Sequence, residues 1–245
     1  AYYSFEQRDV FHAVHRGIGI RHSQHAGHAA FRRRRRAAGY VFLILPAGLA
    51  QMHVHVHQTR HNDTTGGIIA FGSYPQTKVT DAALITALES QPLQAGNIVT
   101  YNGGKYLKQT DWFKYEPIQW RVLSNTDGEL FVMAEKILAS RAYNPDTTDV
   151  TWETCDLRSW LNGDFYNTAF SPTEQARIKT SAVVTEDNPE YGTDGGNDTN
   201  DKLFLLSCGE VKNPNYGFKP SVNIDKTRQT MGTDFARSQG LYVYN

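Results

Sequence analysis

Cysteine and histidine are scarce in most of this chain. Only two of its 245 residues are cysteines, Cys155 and Cys208. Two thiols exclude a disulfide-dense scaffold and a zinc site built from cysteine. All nine histidines lie before residue 62. The remainder of the chain therefore has no histidine with which to complete a Ser-His-Asp set.

The chain also lacks a long apolar run and a net charge. Its apolar stretch at residues 37–50 holds about a dozen apolar residues, fewer than the ~20 that a transmembrane helix needs. The formal charge is zero, but residues 1–61 carry nine arginines against two acidic residues. We therefore divide the chain into a basic leader at 1–61, disordered or like a signal peptide, and a folded domain at 66–245.

The leader allows more than one interpretation. Five consecutive arginines at 32–36 are typical of a basic arm, or of a solvated lead-in or upstream sequence that is not part of the protein. The order at 37–50 of basic, apolar and small residues matches a signal peptide, and its rival is a buried element in a tail. We expect a secreted or cell-surface protein without a nucleic-acid partner, and a cytoplasmic location stays open.

Histidines alternate with valine at the end of the leader. In a strand, His53, His55 and His57 would share one face, where imidazole ligands could hold Zn²⁺. His61 would be a fourth ligand. The alternative is a solvated polar face.

From residue 66 onward the pattern changes to short strands, turns and capped helices. A strand is predicted to end at Tyr74-Pro75, and a helix is predicted over 81–90. Turn-forming residues at 102–104 and 125–128 predict two hairpins. Trp120 lies in an alternating strand and is predicted to be a core residue.

The region with the most agreeing signals runs from Thr151 to Ser171. Thr151 is a good N-cap, and Asn162-Gly163 favours a helix end there. Ser171, Pro172 and Glu174 form the signature of a second helix start. We expect both helices to pack on a sheet whose central strand is residues 203–207. A short strand is also predicted at 181–188, after the second helix, and a short helix at 234–239.

Five blocks of this sequence, in order, carry a family resemblance. They are FGSYPQ, PIQWRVLS, TWETCDLRSWLNGDFYNTAFSPTEQARI, NDTNDKLFLLSCGEV and TDFARSQG. The chain thereby resembles, over residues 66–240, a family of uncharacterised bacterial domains that look like relatives of the C-type-lectin-like fold of formylglycine-generating enzymes. The resemblance implies an α+β fold: a mixed, mainly antiparallel sheet with two or three short helices.

The chain departs from that family in two ways. Members continue beyond the last block with further strands, so the resemblance implies a domain that is incomplete at its C-terminal end. Cys155 stands where members more often have serine. In an exported protein Cys155 and Cys208 could pair as a disulfide, whereas two buried thiols are the ordinary expectation.

The resemblance implies fold rather than activity, so function rests on weaker signals. We expect a non-catalytic module that binds a glycan or a protein through exposed loop aromatics, namely Tyr191, Tyr216 and Phe218. The alternatives are an enzyme or enzyme remnant of the formylglycine-generating type, which would need a cysteine pair in the later half of the fold that is absent here, and a structural domain of a larger surface protein.

Two acidic groups are further candidates for chemistry. The acidic loop offers hard oxygen ligands for Ca²⁺, although its spacing is not that of an EF-hand, and a solvated loop is the alternative; the ligands would be Asp194, Asn197, Asp198, Asn200 and Asp201. Asp156 and Asp164 flank Trp160 and could act as an acid–base pair. The competing interpretation places Asp156 in a helical first turn and Arg158 in a structural ion pair.

Overall fold

A computed structural model of the protein describes residues 51–55, 64–146, 148–188, 192–220 and 226–242. The arginine run and the signal-peptide-like stretch lie outside the described residues, as do His57, His61 and Tyr191. What is described has the expected α+β character, with antiparallel sheets and a few short helices. In this part of the chain no helix combines the length and the apolar character needed to cross a membrane.

A six-stranded sheet organises the described part of the chain, and every pair of neighbouring strands in it is antiparallel. The strands are β1 (Gln51–His55), β2 (Ile68–Lys78), β3 (Ile98–Tyr101), β4 (Gly104–Lys108), β5 (Trp112–Thr126) and β6 (Glu129–Ala134). The order is β1-β6-β5-β4-β3, with β2 also paired to β5. The central strand is therefore β5. Trp120, at the middle of β5, is fully buried and donates from Nε1 to the Phe71 carbonyl at 2.7 Å, which confirms its predicted place in the core.

Both predicted hairpins form, and their turns explain why. Asn102 and Gly103 join β3 to β4 with φ of 47° and 75°. Asp127 and Gly128 join β5 to β6 with φ of 52° and 82°. Two successive positive φ angles give the turn twist that suits a two-residue hairpin, and Asn, Asp and Gly adopt them at least cost.

The prediction that the first strand ends at Tyr74-Pro75 is wrong. Strand β2 continues to Lys78, with register irregularities on either side of this dipeptide. Pro75 is tolerated because the pairing shifts between Pro75 and Thr77. Gly72, at φ 71°, lies at the other irregularity, where a Cβ would come within 2.6 Å of the Phe170 ring.

The sheet begins earlier than the predicted domain boundary at residue 66. Strand β1 pairs with β6 in a register that places Met52 opposite Val132. The side chain of Met52 is fully buried within the main core. Residues 51–55 are therefore part of the folded domain, although composition grouped them with the leader.

In the part of the chain that the structure describes, five short α-helices lie around the sheet. They are α1 (Ala82–Glu89), α2 (Asp156–Trp160), α3 (Tyr166–Ala169), α4 (Pro172–Gln175) and α5 (Asp234–Ser238). Helix α1 confirms the helix predicted over 81–90, and Asp81 caps it by accepting from the N–H groups of Ala83 and Leu84. Helix α5 confirms the expected helix at 234–239.

The helix predicted to begin at Thr151 starts instead at Asp156, after a 3-10 turn (Trp152–Thr154), and it does not stop at Asn162-Gly163. A π-helical turn (Leu161–Phe165) carries the chain from α2 into α3, and Gly163 does not adopt a left-handed backbone. Asn162 serves a different purpose: its Nδ2 donates to the Leu203 carbonyl at 2.9 Å, and its Oδ1 accepts from the N–H groups of Lys202 and Leu203. A side chain thus satisfies backbone groups that a neighbouring strand would otherwise pair.

The expected central strand at residues 203–207 is also wrong. The strands in that region are β7 (Ser181–Val183), which was predicted, and β8 (Thr199–Asp201), and they form a separate two-stranded sheet. Leu203 and Phe204 are nevertheless buried in the main core. The apolar run was thus informative about burial, while the contacts of Asn162 take the place of strand pairing.

Two apolar clusters fill the described structure. The larger lies between the main sheet and the segment α2 to α4. The smaller lies under α1 and is formed by Val79, Leu88, Val99, Tyr106 and Trp112. Strand β5 contributes to both clusters, since it carries Trp120 in one and Trp112 in the other.

Candidate ligand-binding site

Two tyrosines from neighbouring strands lie at the edge of the main core. The pairing of β2 with β5 places Pro75 opposite Tyr115, so Tyr74 and Tyr115 are close in space. The Tyr74 ring packs on Phe165 at a centroid distance of 4.9 Å and on Phe235 at 5.6 Å. Both tyrosines are largely buried. They place phenol groups at one end of the sheet.

Lys105 on β4 lies over one of these rings. Its Nζ is 4.0 Å from the centroid of Tyr115, within the range of a cation–π contact. Burial lowers the pKa of Lys105. In the part of the chain that the structure describes, no carboxylate lies within ion-pair distance of this ammonium group.

The helical side of the site is formed by Arg141 and Trp160. The guanidinium carbon of Arg141 is 5.3 Å from the Trp160 ring centroid, and its Nη2 donates to Asp156 at 2.8 Å. Trp160 is partly exposed and packs on Phe165 at 5.3 Å. Phe165 is thus shared by Trp160 and Tyr74, which joins the helical side to the tyrosine side.

The electrostatics of Tyr74 show that these groups form one environment. Burial raises the pKa of Tyr74 most; Tyr115 and Asp164 raise it further, while Arg141 acts to lower it. Burial likewise raises the pKa of Tyr115. Both phenols therefore keep their protons at neutral pH and can act as hydrogen-bond donors. We name the following group the Tyr74 cluster: Tyr74, Lys105, Tyr115, Arg141, Trp160 and Asp164.

The Tyr74 cluster combines aromatic faces with groups that recognise oxygen. A partly exposed indole can stack on an apolar face, and phenol, ammonium and guanidinium groups donate to oxygen acceptors. Asp164 is exposed and can accept from hydroxyl groups. Aromatic surface with a few convergent polar groups is the usual composition of a small-ligand site.

The loop aromatics that the sequence favoured lie elsewhere. Phe218 is buried in the main core, so its predicted exposure is wrong. Tyr216 is partly buried, and its ring meets Phe131 edge-on at 5.3 Å. Burial, assisted by Glu210, raises the pKa of Tyr216. The turn-forming neighbours correctly indicate a loop, but they do not indicate whether the rings of that loop face the solvent or the core.

The predicted calcium ligands are divided between different tasks. Asp201 is almost fully buried and accepts from Trp152 Nε1 at 2.9 Å, Thr199 Oγ1 at 2.6 Å and Arg158 Nε at 2.8 Å. Its carboxylate is thus held by protein donors instead of facing the loop. The sequence does not indicate this buried position. It shows only an acidic loop, whereas the burial of Asp201 depends on its contact with Trp152, which is distant in sequence.

The other members of that set hold the loop together. Asp194 accepts from the Gly196 N–H at 2.8 Å, and Asp198 accepts from the Thr185 N–H at 2.8 Å. Asn197 donates to Glu153, and Asn200 is exposed. Among the described residues, no three His, Cys, Asp or Glu side chains form a group that could hold a metal ion.

The charged residues around Trp160 follow their structural interpretation. Asp156 occupies the first turn of α2 and pairs with Arg141, and Arg158 pairs with Asp201. Cys155 is buried and caps α2 by accepting from the Arg158 N–H, whereas Cys208 is exposed. Both thiols are free, as the ordinary expectation had it, and the exposure of Cys208 corrects the part of that expectation by which both cysteines are buried.

Sequence reasoning missed most of the Tyr74 cluster. The sequence pattern identifies Tyr74 only as the end of a strand, and it does not single out Lys105, Tyr115 or Arg141. One signal was present: the tight turn fixes the register of β3 on β4, and the short loop to β5 then brings Lys105 beside Tyr115. Arg141 and Trp160 are far apart in sequence, so no local sequence pattern indicates their contact.

Comparison with known proteins adds a partial match to one family model and no activity. Residues 127–238, under half of the chain, match a domain of unknown function, DUF6273. The match agrees with the expected uncharacterised domain and includes Arg141, Trp160 and Asp164, while Tyr74, Lys105 and Tyr115 precede it. No curated protein and no solved structure matches the chain significantly.

Proposed function

We propose that this chain is a non-catalytic binding module of a bacterial surface or secreted protein, and that the Tyr74 cluster is where it binds a glycan. The observation that carries the proposal is the partly exposed Trp160, flanked by Arg141 and Asp164 and joined through Phe165 to Tyr74. A sugar offers an apolar C–H face and several hydroxyls, which suit an indole face beside charged donors and acceptors.

The partners of the charged groups favour binding over catalysis. Asp156 is engaged by Arg141, and Asp201 by Arg158. A general acid or base needs a carboxylate that is free to contact a substrate, and both of these carboxylates already contact an arginine. A formylglycine-type oxidation is not favoured either, because Cys155 and Cys208 differ in burial and are unpaired.

The proposed relationship to C-type-lectin-like domains rests on the sequence blocks. Three features are compatible with it: a mainly antiparallel sheet, short helices packed on that sheet, and the match of residues 127–238 to a domain of unknown function. Fold analogy alone does not assign a ligand, so the glycan proposal depends on the composition of the Tyr74 cluster. The secreted location remains a prediction from residues 37–50.

A glycan array with the full chain tests this proposal, and two arginines provide a matched pair. Arg141 and Arg177 each lie 5.3 Å from an aromatic ring, Trp160 and Phe71 respectively, but only Arg141 belongs to the Tyr74 cluster. We expect saturable binding of at least one glycan, weakened about tenfold or more by Arg141→Gln and less than twofold by Arg177→Gln. A tenfold loss corresponds to roughly 1.4 kcal/mol, typical of a charged hydrogen bond.

Three results would reject the proposal. One is the absence of saturable binding to any glycan. A second is equal sensitivity to the two arginine substitutions, which would place the ligand elsewhere. The third is saturable capture of a protein ligand through Arg141 in the absence of glycan binding, which would replace a glycan ligand with a protein one.

A further inference from the structure

Lys105 lacks the carboxylate partner that several other cations of the described structure have. Arg121 and Arg158, whose side chains are 20% and 25% exposed, each contact a carboxylate at 2.6 Å and 2.8 Å. Even Lys78, at 45% exposure, is paired with Asp111. Lys105 is partly buried, and the only interaction of its ammonium group among the described residues is with the Tyr115 ring.

The surroundings of this ammonium group are suited to an anion. A cation that loses water without gaining an anion is costly, because burial penalises the charged form. A tyrosine face compensates part of that cost but accepts none of the remaining N–H donors of lysine in a conventional hydrogen bond. Tyr115 and the neighbouring Tyr74 bring phenol donors to the same end of the sheet. Ammonium and phenol donors together match the oxygens of a carboxylate or sulfate.

We propose that Lys105 is the anion-binding residue of the Tyr74 cluster, so that the preferred ligand is an acidic glycan with carboxylate or sulfate groups. This inference depends on the proposed function, because it names the class of glycan for the same site. Trp160 then contacts the sugar ring, and Lys105 with the phenols contacts the anionic group. The exposed Asp164 disfavours an anion on its side of Tyr74, which orients the ligand with its charge toward Lys105.

Isothermal titration of the full chain tests this with matched oligosaccharides. The probes are an oligogalacturonide, the same oligomer with its carboxyl groups reduced to alcohols, and a sulfated form of the reduced oligomer. We expect an acidic form to bind at least tenfold more tightly than the reduced one, with an affinity that falls as salt increases. The carboxylate and sulfate arms identify which anion is preferred.

Two lysines on neighbouring strands provide the controls. Lys105→Met keeps an apolar stem over Tyr115 and removes the charge, and it should abolish the preference for the acidic form. Lys114→Met removes the same charge from an exposed position beside Tyr115 and should preserve that preference. Thermal unfolding and circular dichroism establish that each variant is folded, and Lys105→Gln serves if the methionine variant is not.

The outcomes separate this inference from the proposed function. Equal affinity for reduced and acidic forms, or a preference that survives in Lys105→Met, overturns the anion subsite. If the neutral arm still binds and remains sensitive to Arg141→Gln, the glycan-binding function stands alone. If no arm binds and the glycan array is also negative, the proposed function fails and the subsite fails with it.

Discussion

At the scale of single residues, a buried carboxylate stabilises the helical part of the domain. Asp201 accepts three hydrogen bonds, which connect β8 to Trp152 and to Arg158 on α2. Its side chain is almost inaccessible to solvent, whereas Arg158 remains one quarter exposed. A buried carboxylate is tolerated when donors and a cation compensate for its lost hydration. Asp201 is therefore a structural residue, although its neighbours in sequence suggested a metal ligand.

Replacement of Asp201 by asparagine should lower the free energy of unfolding by about 2–4 kcal/mol. The asparagine leaves Arg158 without its anion, and it places an amide group that donates hydrogen bonds among other donors. Urea denaturation of the full chain measures the change. Asp111→Asn breaks the exposed pair with Lys78 and should cost less than about 1 kcal/mol. Similar losses in the two variants would show that Asp201 does not have this structural role.

Glycines provide a second test at this scale, since two of them share a backbone conformation but not an environment. Gly72 has φ of 71° and Gly103 has φ of 75°; a Cβ would clash with Phe170 at Gly72 and meet open space at Gly103. Gly103→Ala should cost about 1–2 kcal/mol from backbone conformation alone. Gly72→Ala should cost clearly more, because a rigid core ring must also move. Chemical denaturation that ranks the two variants in the opposite order would contradict this packing.

At the scale of elements, short helices depend on their ends. Helix α4 has only four residues, too few to be stable by itself, yet Ser171 and Glu174 form a complete capping box at its start. The other oxygen of Glu174 accepts from the Gly72 N–H at 3.0 Å, which ties α4 to β2. The sequence predicted the capping box from local spacing, whereas nothing local indicated the bond to β2, one hundred residues away.

The ties of Glu174 should appear in the pH dependence of stability. Burial acts to raise the pKa of Glu174, but hydrogen bonds from Ser171 and Gly72, together with Arg177, outweigh it and leave the pKa below its ordinary value. The stabilisation is therefore full above the unfolded carboxyl pKa of about 4.3 and is lost as the pH falls through the lower folded value. Glu174→Gln should reduce the slope of unfolding free energy against pH below about 5. Glu89→Gln, at the exposed end of α1, should retain most of the slope; an unchanged slope in Glu174→Gln would contradict the assignment.

At the scale of the whole molecule, the sequence predicted what local chemistry determines. Both hairpin turns, the caps of α1 and α4 and the burial of Trp120 follow from a few adjacent residues. Strand β1 and the irregular course of residues 203–207 depend on partners distant in sequence, namely β6 and Asn162. The candidate site likewise combines residues that are distant in sequence, since they come from β2, β4, β5 and the stretch 141–164. A single sequence carries little information about such pairings.

Because β1 belongs to the folded domain, a substitution before residue 66 should also have a large effect on stability. Met52 is fully buried, and Met52→Ala should lower the free energy of unfolding by about 2–4 kcal/mol. Met231 is 41% exposed, and Met231→Ala should change it by less than about 1 kcal/mol. Thermal or urea unfolding of the full chain measures both. Equal, small changes would show that β1 does not pack on β6.

Strand β5 has a consequence for how the protein comes apart. Trp112 at its start belongs to the small cluster under α1, whereas Phe113, Ile118 and Trp120 belong to the main core. One continuous strand thus runs through both clusters, so loss of order in one cluster removes pairing partners from the other. The two clusters should therefore melt in a single transition, which the fluorescence of Trp112, at the start of β5, and of Trp120, near its middle, would follow.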